Sequence, residues 1–387
     1  MTIQEKDAAY IASTYKRFPI AITGGQGSIL TDENGKEYID LATGIAVNTF
    51  GVNDSAWLNA IIAQAQQVQH TSNLFYSAPC ANLAELLCQK TGMKKVFFSN
   101  SGAEANECAI KVARKYAQSK KGQDCYQIIT LVNSFHGRTI TTLAATGQDV
   151  FHQDFNPLTP GFLYANVDDV ECIENYLKAG NVAAIMFELV QGEGGVVPLK
   201  QEFVDSLVKL AAQYDVLLIA DEVQTGNGRT GELYAYMQYG FTPDIVTTAK
   251  GLGGGLPLGA TLLGEKVKDT LTPGTHGSTF GGNPLSCAGA ISILSRLDES
   301  VLADVKAKGE MVKQTLLGAD GIEGVTGLGL MLGITTTRPA EEVVDECRDA
   351  GVIVIRAKQK VRLLPPLNIP DELLMKALAV IKEVCAR

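Results

Sequence analysis

From about residue 96 onward the chain alternates short apolar runs with amphipathic segments of helical length, and this alternation restricts the possible folds more than any other feature. The runs are KVFFSN, YQIITLV, VAAIMFELV, VLLIADEV, DIVTTAK and ATLLG. Short, continuously apolar runs indicate strands that are buried on both faces, and helical segments between them indicate parallel connections. We therefore expect an α/β fold with a mostly parallel central sheet covered by helices.

The rest of the chain predicts a smaller α+β unit. GSILTDENGKEYIDLATG has the pattern of a hairpin, with a type I′ turn at Asn34-Gly35. Towards the C-terminus we expect one helix over 288–317, strands near GLMLGITT, VIVIR and KVRLL, and a last helix from Pro370. The predicted division is an N-terminal segment packing with the small domain, a large domain, and a C-terminal small α+β domain, at residues 1–54, 55–287 and 288–387.

Composition argues against several classes of protein. The formal net charge of −9, from 33 Lys and Arg against 42 Asp and Glu, disfavours binding to a phosphate backbone. No apolar run approaches the roughly 20 residues needed to cross a bilayer, and the first residues lack the order of a signal peptide. The eight cysteines include no C-x-x-C pair, and the four histidines lack metal-ligand spacing. We expect a cytoplasmic protein with no nucleic-acid, membrane or metal partner.

Polar residues follow the predicted strands directly. Because parallel sheets bind ligands at the carboxyl ends of their strands, we expect these residues to face one crevice. They are Ser99 to Gly102, Asn133 to Arg138, Glu188 to Gly194, Asp221 to Gln224, and Lys250.

Lys250 lies between an apolar run and the glycine-rich GLGGG. A partly desolvated amine loses proton affinity and can form a Schiff base with an aldehyde, and the glycines would let a flat ligand approach closely. A solvated lysine before a loop is the alternative. Asp221 ends the preceding strand and could hold a protonated ring nitrogen, although alone it would equally fit a metal site or a helix cap. Together the two residues favour pyridoxal 5′-phosphate, whose protonated ring withdraws electrons.

The same crevice offers candidates for anion binding. The turn from Ser99 to Ala103 leads into a helix whose first amides suit a phosphate, although capping by Asn100 or Ser101 would explain the same residues. HGSTFGGNP adds the hydroxyls of Ser278 and Thr279, which are ambiguous alone.

After the strand YQIITLV, Phe135 could stack on a ring and His136 could order the site, while packing in the core is the alternative for each. Arg138 could hold a carboxylate with both arms of its guanidinium. Arg362, inside the apolar run KVRLL, needs a partner, and Glu193 is the candidate unless both are unrelated surface charges.

Seven motifs in order now resemble one family. NSGAEANE, FHGRT, QGEGGV, ADEVQTGNGRTG, TAKGLGGGLPLGA, THGSTFGGNP and VRLLPPL are similar to the class III pyridoxal-phosphate aminotransferases, over nearly the whole chain from about Tyr15. One stretch departs from the pattern, because GVNDSAW stands at 51–57 where family members commonly have G-H-x-H-P.

The resemblance implies a fold type I transferase, a homodimer whose two active sites lie at the subunit interface, with pyridoxal 5′-phosphate as cofactor. Lys250 would hold the cofactor covalently and shuttle protons, and Asp221 would hold the ring nitrogen. The other cofactor-binding residues would be Ser101, Gly102 and Ala103 at the phosphate, Ser278 and Thr279 at the phosphate from the other subunit, Phe135 and His136 beside the ring, Val223, and Gln224 at the phenolic oxygen.

The resemblance also implies the substrates. Arg138 would bind the α-carboxylate of a δ-amino donor, and Arg362 would bind glutamate or 2-oxoglutarate after release from Glu193. The expected donor is N2-acetylornithine, in arginine biosynthesis, with ornithine, succinylornithine and 4-aminobutyrate as alternatives. A nucleotide-binding module that uses the glycine-rich turns is the non-enzymatic alternative, although GLGGG does not fit G-x-G-x-x-G.

Overall fold

The computed structural model describes all residues from 1 to 387. The helices are α1 (Ile3–Tyr10), α2 (Thr43–Ala46), α3 (Ser55–Ala65), α4 (Ala78–Thr91), α5 (Gly102–Lys121), α6 (Ile140–Ala145), α7 (Val170–Lys178), α8 (Gln201–Gln213), α9 (Pro284–Leu294), α10 (Glu299–Leu316), α11 (Ala340–Asp349) and α12 (Asp371–Cys385). The strands are β1 (Ile22–Gln26), β2 (Ile29–Asp32), β3 (Glu37–Asp40), β4 (Lys95–Ser99), β5 (Gln127–Leu131), β6 (Phe162–Ala165), β7 (Val182–Phe187), β8 (Val190–Gln191), β9 (Val197–Pro198), β10 (Leu217–Asp221), β11 (Ile245–Thr248), β12 (Gly259–Leu263), β13 (Ile322–Leu328), β14 (Met331–Thr336), β15 (Val352–Ile353), β16 (Ile355–Ala357) and β17 (Lys360–Leu363).

A seven-stranded sheet forms the centre of the molecule. Its order is β4-β12-β11-β10-β7-β5-β6, and only β12 runs antiparallel to its neighbours. Every residue of β7, β10, β11 and β12 is buried, which explains why these runs are mostly apolar. The predicted mostly parallel sheet is confirmed. The edge strand β6 escaped prediction because a four-residue run carries little periodic signal.

The N-terminal strands form a second sheet in the order β1-β2-β3-β15, so they pair with a strand from the C-terminal part of the chain. The predicted hairpin between β2 and β3 is confirmed, but its type I′ turn is wrong, since only Gly35 of the pair has a positive φ, at 79°. The carboxylate of Asp32 accepts hydrogen bonds from the backbone N–H groups of Asn34 and Lys36, at 2.8 and 2.9 Å. This side-chain turn fixes the loop in another geometry.

The predicted single helix over 288–317 is two helices, α9 and α10. The chain turns between them, and the side chain of Asp298 caps α10 by accepting from the N–H of Val301 at 3.0 Å. Helix α9 packs on α3 and α4, and Cys287, the last residue of the predicted large domain, lies inside it.

A third sheet, β13-β14-β17-β16, is fully antiparallel and carries Arg362 on β17. The loop after β10 contacts this sheet through Arg229, whose guanidinium donates to the carbonyl oxygens of Leu330 and Pro365. These bonds fix the position of β17 relative to the ends of the central strands. None of the helices is both long and apolar enough to cross a membrane.

Candidate active site

A cavity of about 420 Å³ opens at the carboxyl ends of the central strands. All five sets of polar residues that were predicted to face one crevice contribute to it, together with the segment just before β12. Its lining residues are Val47, Asn100, Ser101, Gly102, Ala103, Asn106, Phe135, His136, Gly137, Arg138, Glu188, Asp221, Val223, Gln224, Ala249, Lys250, Gly255, Leu256, Pro257 and Leu258.

Lys250 is the second residue after β11 and reaches the cavity with no carboxylate in ion-pair contact. Its backbone φ is 45°, in the left-handed region that non-glycine residues rarely adopt. Burial lowers the pKa of Lys250, while the charge of Glu193 acts to raise it and that of Arg362 to lower it further. A larger fraction of this amine is therefore unprotonated, and nucleophilic, than of an ordinary lysine at the same pH.

The glycines after Lys250 serve packing more than ligand access. A Cβ atom at Gly251 would come within 2.8 Å of the Thr49 hydroxyl, and one at Gly253 would clash with the carbonyl oxygen of Leu256. Of the glycines in this loop, only Gly255 lines the cavity. The expectation that these glycines clear space for a ligand is therefore wrong for Gly251 and Gly253, because close approach of the protein's own chain requires them.

Asp221 lies at the end of β10 and is 3% exposed. Its Oδ2 atom is 2.7 Å from Nδ1 of His136 and accepts from Nδ2 of Asn106 at 2.8 Å. Its Oδ1 atom accepts from the N–H of Val223 at 3.1 Å and keeps a free lone pair. The site thus holds a buried carboxylate that can accept one more hydrogen bond at the cavity.

The turn before α5 combines a helix cap with free amides. Ser101 is the N-cap and accepts from the N–H of Glu104 at 3.2 Å, so the capping alternative is realised. The N–H groups of Gly102 and Ala103 lie in the first helical turn, have no intrahelical acceptor, and line the cavity. A Cβ atom at Gly102 would come within 2.6 Å of the Val223 side chain. Capping and anion binding are therefore compatible here.

Arg138 is an exposed cation at the cavity wall. Its guanidinium carbon lies 4.1 Å from the ring centre of Phe151 and 5.5 Å from that of Phe135. No carboxylate of the chain pairs with it. The two aromatic rings hold the guanidinium in place and leave its donors available to a carboxylate from solution.

Arg362 is 2% exposed and pairs with Glu193, with Nη1 and Oε1 separated by 2.6 Å. The same Nη1 donates to Oε1 of Gln224 at 3.0 Å. Burial is the largest influence on the pKa of Glu193 and acts to raise it, but the charge and hydrogen bond of Arg362, with smaller contributions from Lys250 and Gln224, together lower the pKa. Neither charged residue lines the cavity, whereas Gln224 does. Gln224 therefore links the buried ion pair to the cavity.

Ser278 and Thr279 do not line the cavity of their own chain. The Ser278 hydroxyl accepts from Nδ2 of Asn100 at 3.1 Å, and Thr279 is exposed. The loop that carries them therefore lies beside the turn before α5 and faces outward.

Two cavity residues had no role in the sequence prediction. Glu188 follows β7, and its carboxylate accepts from the N–H groups of Phe135 and Gly192, at 2.9 and 3.1 Å. Burial raises the pKa of Glu188 to about 7, although the charge of His136 acts against this. The position of Glu188 directly after a predicted strand was the sequence feature that could have identified it. Asn106 is a polar residue among the buried positions of α5, and this exception to the apolar pattern could have identified it.

The residues around the cavity fit pyridoxal 5′-phosphate. The free amides of Gly102 and Ala103 suit its phosphate, and the open lone pair of Asp221 suits a protonated ring nitrogen. The amine of Lys250, with its lowered pKa, suits the aldehyde. One cavity therefore supplies partners for the phosphate, the ring nitrogen and the aldehyde of this cofactor.

Comparisons with known proteins agree with this chemistry. The family model described as "Aminotransferase class-III" matches residues 10–385. The chain is 49% identical to acetylornithine aminotransferase of Haemophilus ducreyi, over 99% of this chain and 98% of that protein. It is 42% identical to acetylornithine aminotransferase of Aquifex aeolicus, over 97% and 99%.

Solved structures give the same picture. N-acetylornithine aminotransferase from Stenotrophomonas maltophilia is 37% identical, with a TM-score of 0.85 over 99% of this chain and 98% of that one. Ornithine aminotransferase from Toxoplasma gondii, described with partial occupancy of PLP at its active site, is 33% identical, with a TM-score of 0.94 over 99% and 93%. The predicted fold type I is confirmed by these likenesses.

Proposed function

The chain belongs to the class III aminotransferases, and from this premise we propose that it transfers the δ-amino group of N2-acetylornithine to 2-oxoglutarate, giving N-acetylglutamate 5-semialdehyde and glutamate. The observation that carries the proposal is the meeting of Lys250, Asp221 and the free amides of α5 in one cavity. The acetylornithine aminotransferases that are up to 49% identical support the choice of donor.

When bound, pyridoxal 5′-phosphate supplies an aldehyde that takes up amino groups and a protonated ring that withdraws electrons. Lys250 holds the cofactor through its Nζ atom, and the same amine moves the proton at the substrate carbon that carries nitrogen. Asp221 would accept a hydrogen bond from the ring N–H, and its negative charge would keep that nitrogen protonated. Phe135 would pack against the ring and Gln224 would contact its phenolic oxygen, since both side chains line the cavity.

Two arginines bind the substrate carboxylates. Arg138, free of any carboxylate partner, holds the α-carboxylate of the donor. Arg362 is masked by Glu193 while the donor is bound, and it exchanges Glu193 for the carboxylate of glutamate or 2-oxoglutarate. The exchange is needed because one site must act on a terminal carbon in one half-reaction and on an α-carbon in the other.

The working unit in this proposal is a cytoplasmic homodimer. Leu74, Phe75, Tyr76 and Phe280 are 60–107% exposed, a large apolar surface for one chain. The loop 276–283 bonds to residues of this surface, since Nδ2 of Asn73 donates to the carbonyl oxygen of Ser278 at 3.0 Å. A partner subunit that covers this surface would receive Ser278 and Thr279 at the phosphate of its own site.

Replacement of Lys250 by alanine tests the proposal. We expect Lys250→Ala to lose amino-group exchange by several orders of magnitude, because no other amine lines the cavity. In the wild type, borohydride treatment should fix a cofactor adduct on the peptide that contains Lys250, as read by mass spectrometry. Lys308→Ala, which removes a buried lysine outside the site, is the control for stability. Brisk exchange by Lys250→Ala, or a wild type that takes up no cofactor, would refute the proposal.

The donor is tested separately. Single-turnover half-reactions with acetylornithine, ornithine, succinylornithine and 4-aminobutyrate should give the highest kcat/KM for acetylornithine. A higher value for any of the other three would keep the aminotransferase and change its substrate.

A further inference from the structure

We propose that Asn106 is a positioning residue that orients Asp221 towards the ring nitrogen of the cofactor, an inference that rests on the function proposed above. Asn106 is 1% exposed and lies on the face of α5 that meets the cavity. Its Nδ2 atom donates two hydrogen bonds of 2.8 Å, one to Oδ2 of Asp221 and one to the carbonyl oxygen of His136. The single side chain thus joins α5, β10 and the loop after β5.

The chemistry of these neighbours fixes the orientation of the Asn106 amide. Both neighbouring atoms, Oδ2 of Asp221 and the carbonyl oxygen of His136, can only accept, so the amide must present its N–H groups to them. Rotating the amide by 180° would set its oxygen against two acceptors. Its Oδ1 atom accepts no hydrogen bond in return, although it is buried. Burying the unpaired Oδ1 atom destabilises the folded protein, and the two hydrogen bonds that Nδ2 donates offset this destabilisation.

The two oxygens of Asp221 are consequently unequal. Oδ2 takes a bond from Asn106 and is 2.7 Å from Nδ1 of His136, which occupies both of its lone pairs. Oδ1 takes only the N–H of Val223. The carboxylate cannot rotate without breaking the bonds at Oδ2, so the oxygen with spare acceptor capacity is always the same one. Asn106 therefore selects which oxygen of Asp221 is available to a donor in the cavity.

Helix α5 contributes to both ends of the proposed cofactor site. Its first amides, at Gly102 and Ala103, suit the phosphate, and Asn106 follows Gly102 by about one turn, roughly 6 Å along the axis. One rigid element of 20 residues thus sets the phosphate end and the ring-nitrogen end together. A side chain at position 106 that cannot donate would leave the phosphate end intact and disturb only the ring-nitrogen end.

The test uses apoprotein and free pyridoxal 5′-phosphate, with Asn106→Leu and Asn106→Asp as variants. Leucine keeps the side-chain volume without a donor, and aspartate keeps the shape but sets acceptors against Asp221. In an absorbance titration we expect both variants to bind the cofactor about ten-fold more weakly than the wild type. This is the size of effect expected when one hydrogen bond to a charged group is lost. The pH at which the visible absorption band of the bound cofactor changes should also shift, because that band reports on the ring's electronic state.

Val112→Ala is the matched control, since Val112 is fully buried in the same helix and does not line the cavity. It should lower the melting temperature without moving the spectrum. Wild-type affinity and an unmoved spectrum in either folded Asn106 variant would overturn the inference, as would losses no larger than those of Val112→Ala. These outcomes are distinct from failure of the proposed function, in which the wild-type protein itself would bind no cofactor. If Asn106→Leu does not fold, Asn106→Asp decides the question.

Discussion

At the scale of single residues, the conformation of Lys250 depends on neighbours outside the cavity. Its left-handed backbone costs on the order of 1 kcal/mol, and such a conformation persists only where surrounding contacts hold it. Two hydrogen bonds supply such contacts. The Thr49 hydroxyl donates to the carbonyl oxygen of Gly251 at 2.8 Å, and Nε1 of Trp57 donates to the carbonyl oxygen of Gly253 at 3.0 Å. The sharp turn after β11 is therefore fixed before any ligand arrives.

Glu193→Ala tests the masking of Arg362. The variant leaves Arg362 buried with Gln224 as its remaining side-chain partner, so any substrate carboxylate can compete for the guanidinium. We expect kcat/KM for glutamate to stay within about two-fold, while the preference for acetylornithine over ornithine falls about ten-fold, or about 1.4 kcal/mol. Stopped-flow half-reactions with each donor provide the measurement. An unchanged preference would contradict the masking role.

Residues placed at the cavity by their position at the end of a strand could be predicted from the sequence. Residues placed there by a contact between distant elements could not. The place of Lys250 and Asp221 at the cavity could be predicted because Asp221 ends β10 and Lys250 is the second residue after β11. Asn106 could not be assigned to Asp221, because the contact depends on how α5 is rotated against β10, which no local pattern specifies. The partner of Arg362 was predictable, since an arginine inside a buried strand requires an acid.

At the scale of elements, the stretch that departs from the family pattern has a structural role at the start of α3. Asp54 caps this helix by accepting from the N–H of Trp57 at 2.9 Å. It also binds both arms of the Arg296 guanidinium, at 3.0 and 2.8 Å, just after the end of α9. The helix pair α3 and α9 is thereby tied at one end. The predicted single helix over 288–317 is interrupted just after this point, where Asp298 caps the start of α10.

Asp54→Ala should destabilise the protein by about 2 kcal/mol, with about 1 from the lost cap and about 1 from the lost ion pair. Asp298→Ala is the matched control, because Asp298 caps α10 without an arginine partner and should cost about 1 kcal/mol. Urea unfolding of both variants gives the comparison. Equal losses in the two variants would show that the pair with Arg296 contributes nothing.

At the scale of the whole molecule, a hydrogen bond joins the loop that carries the exposed Phe280 to the cavity wall. Phe280 contacts His70 at a ring separation of 5.4 Å, and the neighbouring Ser278 bonds to Asn100 in the cavity wall. Loss of the proposed partner over the exposed apolar surface should therefore also disturb the turn before α5. The sequence predicted the sheet but could not predict this surface, because exposure is set by how distant loops come together.

Phe280→Asp should convert the proposed dimer to monomer, because a charge would have to be buried at the interface. We expect sedimentation at half the mass and weaker cofactor binding. Leu317→Asp is the matched control, since Leu317 is 54% exposed at the end of α10, in the C-terminal part of the chain. Dimeric Phe280→Asp protein, or a wild type that sediments as a monomer, would contradict the proposed assembly.

The contact of Arg229 with the antiparallel sheet has a consequence for how substrates alternate. Its bonds to the carbonyl oxygens of Leu330 and Pro365 anchor the turn between β13 and β14 and the segment just after β17 to the loop that follows Asp221. The strand that bears Arg362 is thus held to the same framework as Asp221. The exchange of partners proposed for Arg362 would then need rotation of side chains and no displacement of this strand.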